Sequence, residues 1–501
     1  MTNKFISVKN NEPVPVKTIP ELTYKEFTDI CTSLVKDKIH CHIVNYFGYR
    51  ENNNIKLICC IADDQEQSIN VLSTNVETDA SYPSLTIDVP AFDKFEREVY
   101  ENFGVKFEGH PWLKPVRYPF NRANKQQTIE NYPFLKGSSE ELHEVGVGPI
   151  HAGVIEPGHF RFICHGEQIL HLEIQLGYQH RGVEQLMLQK QSLNERITIA
   201  ESIAGDSAVE HATAFAQLWE SLCNIETDKS TAFGRSLAQE IERIAIHTGD
   251  MSAICTDIAY QLGSAVFGRL RTPMVNFFQE WCGNRLCKGL IRVGGFNYPF
   301  TEALGKRFLE ILTIYERDFE EMATQLFKLP SALGRLERTG VVENDQIYQI
   351  GAVGMAARMS NLKRDIRMSH PYANYKNMNH QPVVKRHGDV YSRTQIRKEE
   401  IRQSIGYIRN WINNIPEFKK VDASNYTAQA DTFVISLTEG WRGEVCHCAI
   451  TDNKGMLKVY KIKDPSFHNW KALELAVRNN EISDFPICNK SFNLSYCGHD
   501  L

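Results

Sequence analysis

The sequence lacks the cysteine spacing on which many zinc, iron–sulfur and redox sites depend. It has 13 cysteines, and no two are related as C-x-x-C, the spacing that lets two thiolates reach one metal ion from a single turn. Free cysteine is among the most buried residue types, so we interpret most of these thiols as core residues. The pairs that come closest along the chain are Cys59 with Cys60, Cys446 with Cys448, and Cys282 with Cys287.

Long apolar runs and a strong charge of one sign are also missing. No stretch approaches the ~18 consecutive apolar residues of a membrane-spanning helix, and the first five residues do not resemble a signal peptide. We therefore expect a cytoplasmic protein, a setting in which disulfides are rare. The formal net charge is −5, and no nucleic-acid motif accompanies the basic cluster of Arg358, Lys363, Arg364 and Arg367, so nucleic acid is not an expected partner.

The N-terminal part has the pattern of a small mixed domain. With 501 residues, 42% of them apolar, the chain has room for roughly two to four domains. Strands are predicted over 40–46 and 55–62, an alternating strand over 84–89, and a helix over 91–103 that ends near Gly104. The polar stretch that follows, from residue 121, is typical of a linker.

The rest of the chain is patterned for long helices. A β-hairpin is predicted over 159–174, around the segment His165-Gly166-Glu167. Apolar residues recur with helical spacing over 237–262, 304–326 and 401–412, and the first two runs are about twice the usual helix length. Long antiparallel helices are typical of a bundle, and short β-rich segments return over 432–463. The predicted fold class is α+β: a small N-terminal α/β domain, then a mainly helical domain with a small β portion.

Two sets of motifs carry a family resemblance. The first is E-R-E-x-x-E-x-x-G-x-x-F-x-G-H-P at 96–111. The second comprises, in chain order, G-P-x-H at 148–151, E-P-G-H-F-R-F at 156–162, L-G-Y-x-H-R-G-x-E at 176–184, R-x3-H at 243–247, R-V-G-G at 292–295, D-x-R at 365–367 with P-Y at 371–372, G-D-x-Y-x-R at 388–393, and E-G-x-R-G-E at 439–444.

The first set resembles the C-terminal signature of the 30-kilodalton subunit of respiratory complex I, with Glu101 where family members commonly have Asp. The second resembles the large subunit of group 4 membrane-bound nickel–iron hydrogenases, of the hydrogenase-3 and hydrogenase-4 type, and the related 49-kilodalton subunit of complex I. Hydrogenases of that type also fuse the two parts in one chain. The resemblance implies a domain like the 30-kilodalton subunit at 1–120, a linker at 121–144 and a large-subunit-like domain at 145–501.

The sequence departs from the hydrogenases where they bind metal. In that family four cysteines in two C-x-x-C motifs hold nickel and iron. The aligned positions here are Ala204, Ser207, Leu494 and Cys497. Alanine and leucine cannot ligate, and serine is a poor ligand where soft thiolates are needed. The resemblance therefore implies that no metal is bound and that nickel is not expected. Many of these subunits also lose a C-terminal extension after nickel insertion, whereas almost nothing here remains to be removed after Cys497.

The sequence departs from complex I as well. In the 49-kilodalton subunit the vacated pocket belongs to the quinone site, where a tyrosine and a histidine bind the headgroup. Those positions align with Gly205 and with a position near Ile155, so neither residue type is present. His151, His159 and Tyr178 are the other candidates for binding a headgroup.

Several polar residues are candidates for lining the vacated cavity or relaying protons in it. Glu156 aligns with a glutamate that passes protons in the hydrogenases, and its alternative is a salt-bridged structural role. A polar cavity would hold water, an ion or a ligand headgroup, and its alternative is a hydrogen-bond network that fills the space. Cys497 is either a reactive thiol or an inert buried one. The candidates are Glu156, Glu201, Asp206, Ser207 and His211.

Other matched residues have structural interpretations. His180 and Arg181 are expected to fix local backbone geometry. His165 and His171 have no third metal ligand at a known spacing. Three further charged residues are expected to form a buried ion-pair network or a helix-end anchor: Arg358, Asp365 and Arg367.

The resemblance implies an oxidoreductase subunit, active only within a membrane-associated complex I-like assembly that couples electron transfer to ion translocation. Its expected partners are an iron–sulfur small subunit and antiporter-like membrane subunits, which would hold it on the cytoplasmic side of the inner or plasma membrane. No cofactor is expected in this chain itself: an iron–sulfur cluster would lie in a partner, and quinone is a candidate acceptor. The alternatives are a non-redox scaffold subunit and, third, a genuine nickel–iron hydrogenase.

Overall fold

The computed structural model describes residues 4–78, 80–151, 155–419 and 426–501. The N-terminal part is built on a sheet of order β1-β6-β5-β4, in which β3 pairs with β6 in parallel and the other pairs are antiparallel. Its elements are β1 (Ile6–Val8), β2 (Val14–Pro15), β3 (Glu21–Leu22), α1 (Tyr24–Val35), β4 (Cys41–Glu51), β5 (Asn54–Asp63), β6 (Ser68–Glu77), β7 (Ser81–Pro83), α2 (Asp93–Phe103) and β8 (Lys106–Glu108).

The predicted strand over 84–89 is wrong. Residues Leu85–Ile87 form a 3-10 turn. The carboxylate of Glu96, on α2, accepts hydrogen bonds from the Leu85 N–H at 2.8 Å and from the Ser84 hydroxyl at 2.5 Å. Because a side chain satisfies these donors, the segment needs no neighbouring strand. The neighbouring helix prediction is confirmed, since α2 ends at Gly104, whose φ of 82° is the left-handed conformation that favours glycine.

The C-terminal part combines two larger sheets with the long helices. β10 and β11 form the predicted hairpin, and β9 joins them in a three-stranded sheet. The elements are β9 (His143–Val147), β10 (His159–His165), β11 (Gln168–Gln175), α3 (Val183–Gln189), α4 (Leu193–Ala200), α5 (Ala208–Leu222), α6 (Lys229–Asp257), α7 (Gln261–Cys282), β12 (Ile291–Arg292), β13 (Gly295–Phe296), α8 (Glu302–Leu326), α9 (Pro330–Leu336), α10 (Asn344–Gln349), α11 (Met355–Arg358), α12 (Ile366–Ser369), α13 (Val390–Ile412), β14 (Thr432–Glu439), β15 (Glu444–Thr451), β16 (Leu457–Lys463), α14 (Ser466–Ala476), α15 (Phe485–Phe492) and α16 (Tyr496–Asp500).

The single helix predicted over 237–262 is in fact two helices. α6 ends at Asp257, and Ala259 has a φ of 59°, which breaks the helix before α7 begins at Gln261. The apolar spacing continues across this turn, so periodicity alone does not reveal it. The runs over 304–326 and 401–412 are confirmed as α8 and the C-terminal half of α13. None of the helices in the described part of the chain is both long enough and apolar enough to span a bilayer.

The sheet of β14, β15 and β16 is the central layer of the molecule. Every residue of β14 and β15 is buried. Helix α5 packs on one face, and the N-terminal sheet lies on the other, where the Asn45 side chain donates to the sulfurs of Cys446 and Cys448 at 3.7 Å. Strand β2 also pairs with β14. Polar side chains of this sheet are therefore shielded from water on both faces.

Candidate functional site

The two loops that carry the aligned metal-ligand positions meet at Arg442. The guanidinium of this buried arginine donates to both carboxylate oxygens of Asp206, at 2.8 and 2.7 Å, and to the Ser207 hydroxyl at 3.1 Å. Its Nε donates to the Asn493 carbonyl at 2.6 Å, next to Leu494. Bidentate arginine–carboxylate pairs are among the stronger hydrogen-bonded contacts. Arg442 thus joins the loop of Ala204 and Ser207, through an ion pair, to the loop of Leu494 and Cys497, through a backbone hydrogen bond.

A second arginine ties the same loops together at the backbone. Arg181 donates to the carbonyls of Ser202, Ile203 and Cys497 at 2.7, 2.8 and 3.1 Å. The ring of His180 is bonded through Nδ1 to the Asp500 carbonyl at 2.7 Å. The expectation that His180 and Arg181 fix backbone geometry is therefore confirmed.

Glu156 and Cys497 lie together at one side of this junction. The Cys497 sulfur is 3.6 Å from Oε1 of Glu156 and 3.4 Å from the Ser495 hydroxyl. Burial raises the pKa of the Cys497 thiol, so it is a hydrogen-bond donor rather than a thiolate at neutral pH. The geometry is that of a protonated thiol beside a carboxylate.

Glu201 is turned toward other partners. One of its carboxylate oxygens accepts from the Gly289 N–H at 2.8 Å and lies 3.4 Å from the Arg292 guanidinium. Burial raises the pKa of this carboxyl, although these donors oppose the shift. Glu201 therefore anchors the loop before β12, and within the described residues its carboxylate forms no hydrogen bond with Asp206 or His211.

His211 is part of a buried chain of four titratable groups. Its Nε2 lies 3.1 Å from the Asp464 carboxylate, and its Nδ1 lies 3.0 Å from Nε2 of His447. The other ring nitrogen of His447 lies 2.7 Å from the Tyr460 hydroxyl. All four side chains are buried. Protons can pass along such a chain because each neighbouring pair is within hydrogen-bond distance.

Burial and neighbouring groups shift the pKa values of Asp464 and His447 in this chain. Burial raises the pKa of Asp464, but the hydrogen bond from His211 and the charge of Arg442 outweigh burial and hold it below its usual range. Burial, with the neighbouring His211, holds the pKa of His447 well below its usual range, so that ring is neutral. The neutral His447 ring accepts at one nitrogen and donates at the other, so it links His211 to Tyr460, while the Asp464 carboxylate accepts a hydrogen bond from His211.

Comparisons with known proteins identify the family. Residues 21–137 match the family model described as the 30 Kd subunit of respiratory-chain NADH dehydrogenase, and residues 262–433 match that of its 49 Kd subunit. The chain fuses domains of these two complex I types.

Its relatives are group 4 hydrogenase subunits and fused complex I subunits. Hydrogenase-4 component G of Escherichia coli (strain K12) is 25% identical, over 85% of this chain and 77% of its own length. The fused C/D subunit of the NADH-quinone oxidoreductase of Phocaeicola vulgatus is 25% identical, over 78% and 81%. The alpha subunit of the membrane-bound hydrogenase of Pyrococcus furiosus is 25% identical, over 70% and 85%. The family resemblance carried by the motifs is confirmed.

Only some polar atoms of the quinone-site candidates His151, His159 and Tyr178 have hydrogen-bond partners among the described residues. His159 Nδ1 lies 3.2 Å from the Gly148 carbonyl, and Tyr178 donates to the Gln175 side chain at 3.0 Å. The Nε2 atoms of His151 and His159 are buried and have no hydrogen-bond partner in the described part of the chain. Ile155 is 49% exposed, and residues 152–154 lie outside the described residues. Two unpartnered imidazole nitrogens thus lie near the segment aligned with the quinone histidine.

The predicted charged network is also present. Arg358 contacts Asp365, Glu400 and Glu439 at 3.5, 2.5 and 2.7 Å, with every group buried. Asp365 pairs with Arg367 at 2.8 Å and also accepts the Arg367 N–H at the start of α12. The charged residues therefore form an ion-pair network, and Asp365 also anchors the start of α12. The histidines at 165 and 171 belong to no cluster of three metal-ligand side chains among the described residues.

Two carboxyls that the sequence interpretation missed lie beside the Arg442 junction. Glu210 Oε1 accepts from the Trp441 N–H and Glu242 Oε1 from the Val209 N–H, each at 3.0 Å. Burial raises the pKa of Glu210 to about 8, and burial together with the charge of Glu210 raises the pKa of Glu242 well above its usual range. Gly440 is required here, since a Cβ would come within 1.4 Å of the Glu210 carboxyl. Burial therefore favours the protonated form of both carboxyls at neutral pH.

Replacing Glu210 by glutamine should flatten the pH dependence of stability. The folded wild type binds this proton up to about pH 8 and the unfolded chain releases it near pH 4.5, so wild-type stability falls as pH rises through that window. The amide keeps the Trp441 hydrogen bond without titrating. Urea unfolding at pH 5, 6, 7 and 8 measures the effect, with Glu140→Gln at an exposed position as control. Equal slopes in Glu210→Gln and wild type would refute the assignment.

Proposed function

We propose that this chain is the junction subunit of a membrane-associated complex I-like oxidoreductase that works without a nickel–iron site of its own. In this proposal electrons arrive in a neighbouring iron–sulfur subunit, and protons move through the chain from Tyr460 to Asp464. The observation that carries it is the contact of Arg442 with Asp206, which brings a fixed cation and a titratable relay together at the aligned metal position.

Charge supports this arrangement. Where the hydrogenases place metal cations among thiolates, this chain places the Arg442 guanidinium against a carboxylate. A fixed positive charge lowers the pKa of nearby carboxyls, as it does for Asp464. A negative charge that arrives nearby by electron transfer would have the opposite effect and would favour proton uptake at His211. Electron arrival and protonation are coupled in this way without a metal in the chain.

The proposed partners rest on the relatives, and the proposed acceptor rests on two histidines near Ile155. An iron–sulfur small subunit supplies the electrons, and antiporter-like membrane subunits hold the complex on the cytoplasmic face of the membrane. Quinone is the proposed acceptor, because His151 and His159, each four positions from the exposed Ile155 in the sequence, offer ring nitrogens without a hydrogen-bond partner among the described residues. The chain itself is proposed to hold neither nickel nor an iron–sulfur cluster.

One observation favours a scaffold instead. The polar atoms of the junction are already paired, since Arg442 satisfies Asp206 and Ser207 and also reaches Asn493. A fully paired network stabilises a fold without chemistry. In that case the chain joins peripheral and membrane subunits and transfers no electrons.

The complex purified through a tag on this chain distinguishes the candidates. We expect iron–sulfur electron paramagnetic resonance signals from a partner, nickel far below one atom per chain, and electron transfer from reduced methyl viologen to decylubiquinone. Asp206→Ala should abolish this transfer in an assembled complex, whereas Glu310→Ala, at a 70% exposed side chain, should not. Stoichiometric nickel would overturn the proposal in favour of a hydrogenase. An assembled complex without transfer would overturn it in favour of the scaffold.

A further inference from the structure

Three metal-ligand side chains meet where two turns of the N-terminal sheet come together. His40 lies in the turn before β4, Cys41 begins β4, and Asp63 ends β5. Cys41 and Asp63 are directly opposite in the antiparallel ladder, so their side chains share a face. One ligand atom from each residue, an imidazole nitrogen, the sulfur and a carboxylate oxygen, lies within 4.8 Å of the other two.

The composition of this cluster selects the ion. Histidine nitrogen, cysteine sulfur and carboxylate oxygen are the ligand types of zinc, which bonds them at about 2.0–2.3 Å. A tetrahedral site of that size needs its ligand atoms about 3.4–3.8 Å apart. The three ligand atoms already lie within 4.8 Å of one another, so they would need to approach each other by only about 1 Å to bind the ion. One thiolate and one carboxylate balance the two charges of Zn²⁺. Calcium and magnesium prefer sites built of oxygen alone.

The surroundings already orient the ligands. Oδ1 of Asp63 accepts the N–H groups of Gln65 and Glu66, both at 3.1 Å, which fixes the carboxylate and leaves the other oxygen for an ion. The Asp64 N–H donates to the His40 carbonyl at 2.9 Å and ties the two turns together. Hydrogen bonds that orient a ligand from outside, like those to Asp63, are typical of metal sites. No described side chain hydrogen-bonds the His40 ring, so its nitrogens are available to an ion.

We propose that His40, Cys41 and Asp63 form a zinc site with three protein ligands and a fourth position open to water. Cys41 is buried, while His40 and Asp63 are half-buried, so the open position faces solvent. The site is independent of the proposed oxidoreductase function. It also assigns to one thiol a role that the spacing of the cysteines does not predict.

Zinc must displace a proton at this site. Burial, and next the charge of Asp63, raise the pKa of the Cys41 thiol to about 12 without a metal, so the S–H hydrogen bonds to the carboxylate. Binding forms the zinc–sulfur bond and releases that proton, so affinity increases with pH. A bare thiol–carboxylate hydrogen bond is the competing interpretation.

The site also restrains a contact between the two parts of the chain. The Tyr348 hydroxyl, at the end of α10, donates to the Val35 carbonyl at 2.5 Å and accepts the Lys38 N–H at 3.0 Å, within the turn before His40. Arg364 donates to the Cys41 carbonyl at 3.5 Å. A metal that fixes this turn would hold the N-terminal domain against α10.

Zinc titration of the full-length chain tests the proposal. The apo protein, stripped with a chelator, is titrated with Zn²⁺ alone in competition with a chromophoric chelator, at pH 6.5 and 8. We expect one ion per chain, bound more tightly at pH 8. Cys41→Ser and His40→Ala should each weaken binding at least tenfold. Co²⁺ in the same site should show a thiolate-to-metal charge-transfer band that Cys41→Ser abolishes.

Two variants serve as matched controls. Cys223→Ser removes a partly exposed thiol outside the cluster, and Asp37→Asn removes a neighbouring carboxylate outside the ligand set. Both should bind zinc as the wild type does. Circular dichroism confirms that each variant is folded. Binding of fewer than 0.2 ions per chain, or equal affinity in folded His40→Ala and wild type, would overturn the proposal and leave the hydrogen bond as the role of Cys41.

Discussion

Replacing Glu400 by alanine should destabilise the fold by about 3–5 kcal/mol, the usual result of removing one partner from a buried ion pair. Its carboxylate, fully buried on α13, contacts Arg358 at 2.5 Å, His247 at 2.8 Å and Arg243 at 3.4 Å. The charge of Arg358, the hydrogen bond with His247 and the charge of Arg243 hold the pKa of Glu400 well below its usual range, although burial alone would raise it. Without it, two buried arginines lose a counter-charge that water cannot replace.

The neighbouring residue on α13 provides the control. Glu399 pairs with Arg402 at 3.1 Å on the surface, where both side chains are about one-third exposed. Surface pairs are worth about 0–1 kcal/mol, so Glu399→Ala should be nearly neutral. Urea unfolding of the two variants measures the difference. If Glu400→Ala costs no more than Glu399→Ala, the network does not stabilise the fold as described.

The network also predicts which group compensates for the lost charge of Glu400. Its three arginines, at 243, 358 and 367, face Glu240, Asp365, Glu400 and Glu439. Burial, and next the charge of Asp365, raise the pKa of Glu439 to about 7, so near neutral pH the fourth acid is partly protonated and the charges nearly balance. In Glu400→Ala we expect Glu439 to ionise at lower pH than in the wild type. The wild type alone then loses stability as pH rises through about 7, so the destabilisation of the variant relative to the wild type should be smaller at pH 8 than at pH 6.

Local elements of this fold could be predicted from the sequence, because their signals are local. The apolar spacing of α8 and the alternation of the hairpin β10–β11 each lie within one segment. The ordered motifs also placed the aligned ligand positions, such as Ala204 and Leu494, on two loops that Arg442 brings together in the structure. Where a local signal failed, as at 84–89, a side chain from another element had replaced the expected backbone partner.

The contents of the candidate site could not be predicted, because its partners are distant in sequence. Asp206 and Arg442 are 236 positions apart, as are His211 and His447. The motif E-G-x-R-G-E contained Arg442, but nothing in the sequence indicated that its side chain would bridge both loops. His447 had one available signal, a histidine flanked by apolar residues and cysteines in a predicted strand. Such a residue must find a buried partner, and here it finds His211 and Tyr460.

Blocking the relay should reduce turnover of the assembled complex by about 10²–10⁴-fold, the usual contribution of a positioned proton donor or acceptor. His211→Ala breaks the chain at its centre, since His211 bonds both Asp464 and His447. Tyr460→Phe removes only the hydroxyl 2.7 Å from His447 and leaves the ring packed against Phe215. Both variants should assemble. Turnover of the tyrosine variant should fall with a changed pH profile, which a purely structural role would not produce.

Another buried tyrosine supplies the matched control for this loss. Tyr315 is bonded to Thr248 at 2.6 Å between α8 and α6 and is not part of the relay. Tyr315→Phe removes the same hydroxyl group at a similar degree of burial, so it corrects for any general loss of stability. We expect the turnover of Tyr315→Phe to match the wild type. If Tyr460→Phe and His211→Ala also match it in intact complexes, the chain of hydrogen bonds only stabilises the central sheet, and the subunit is a scaffold.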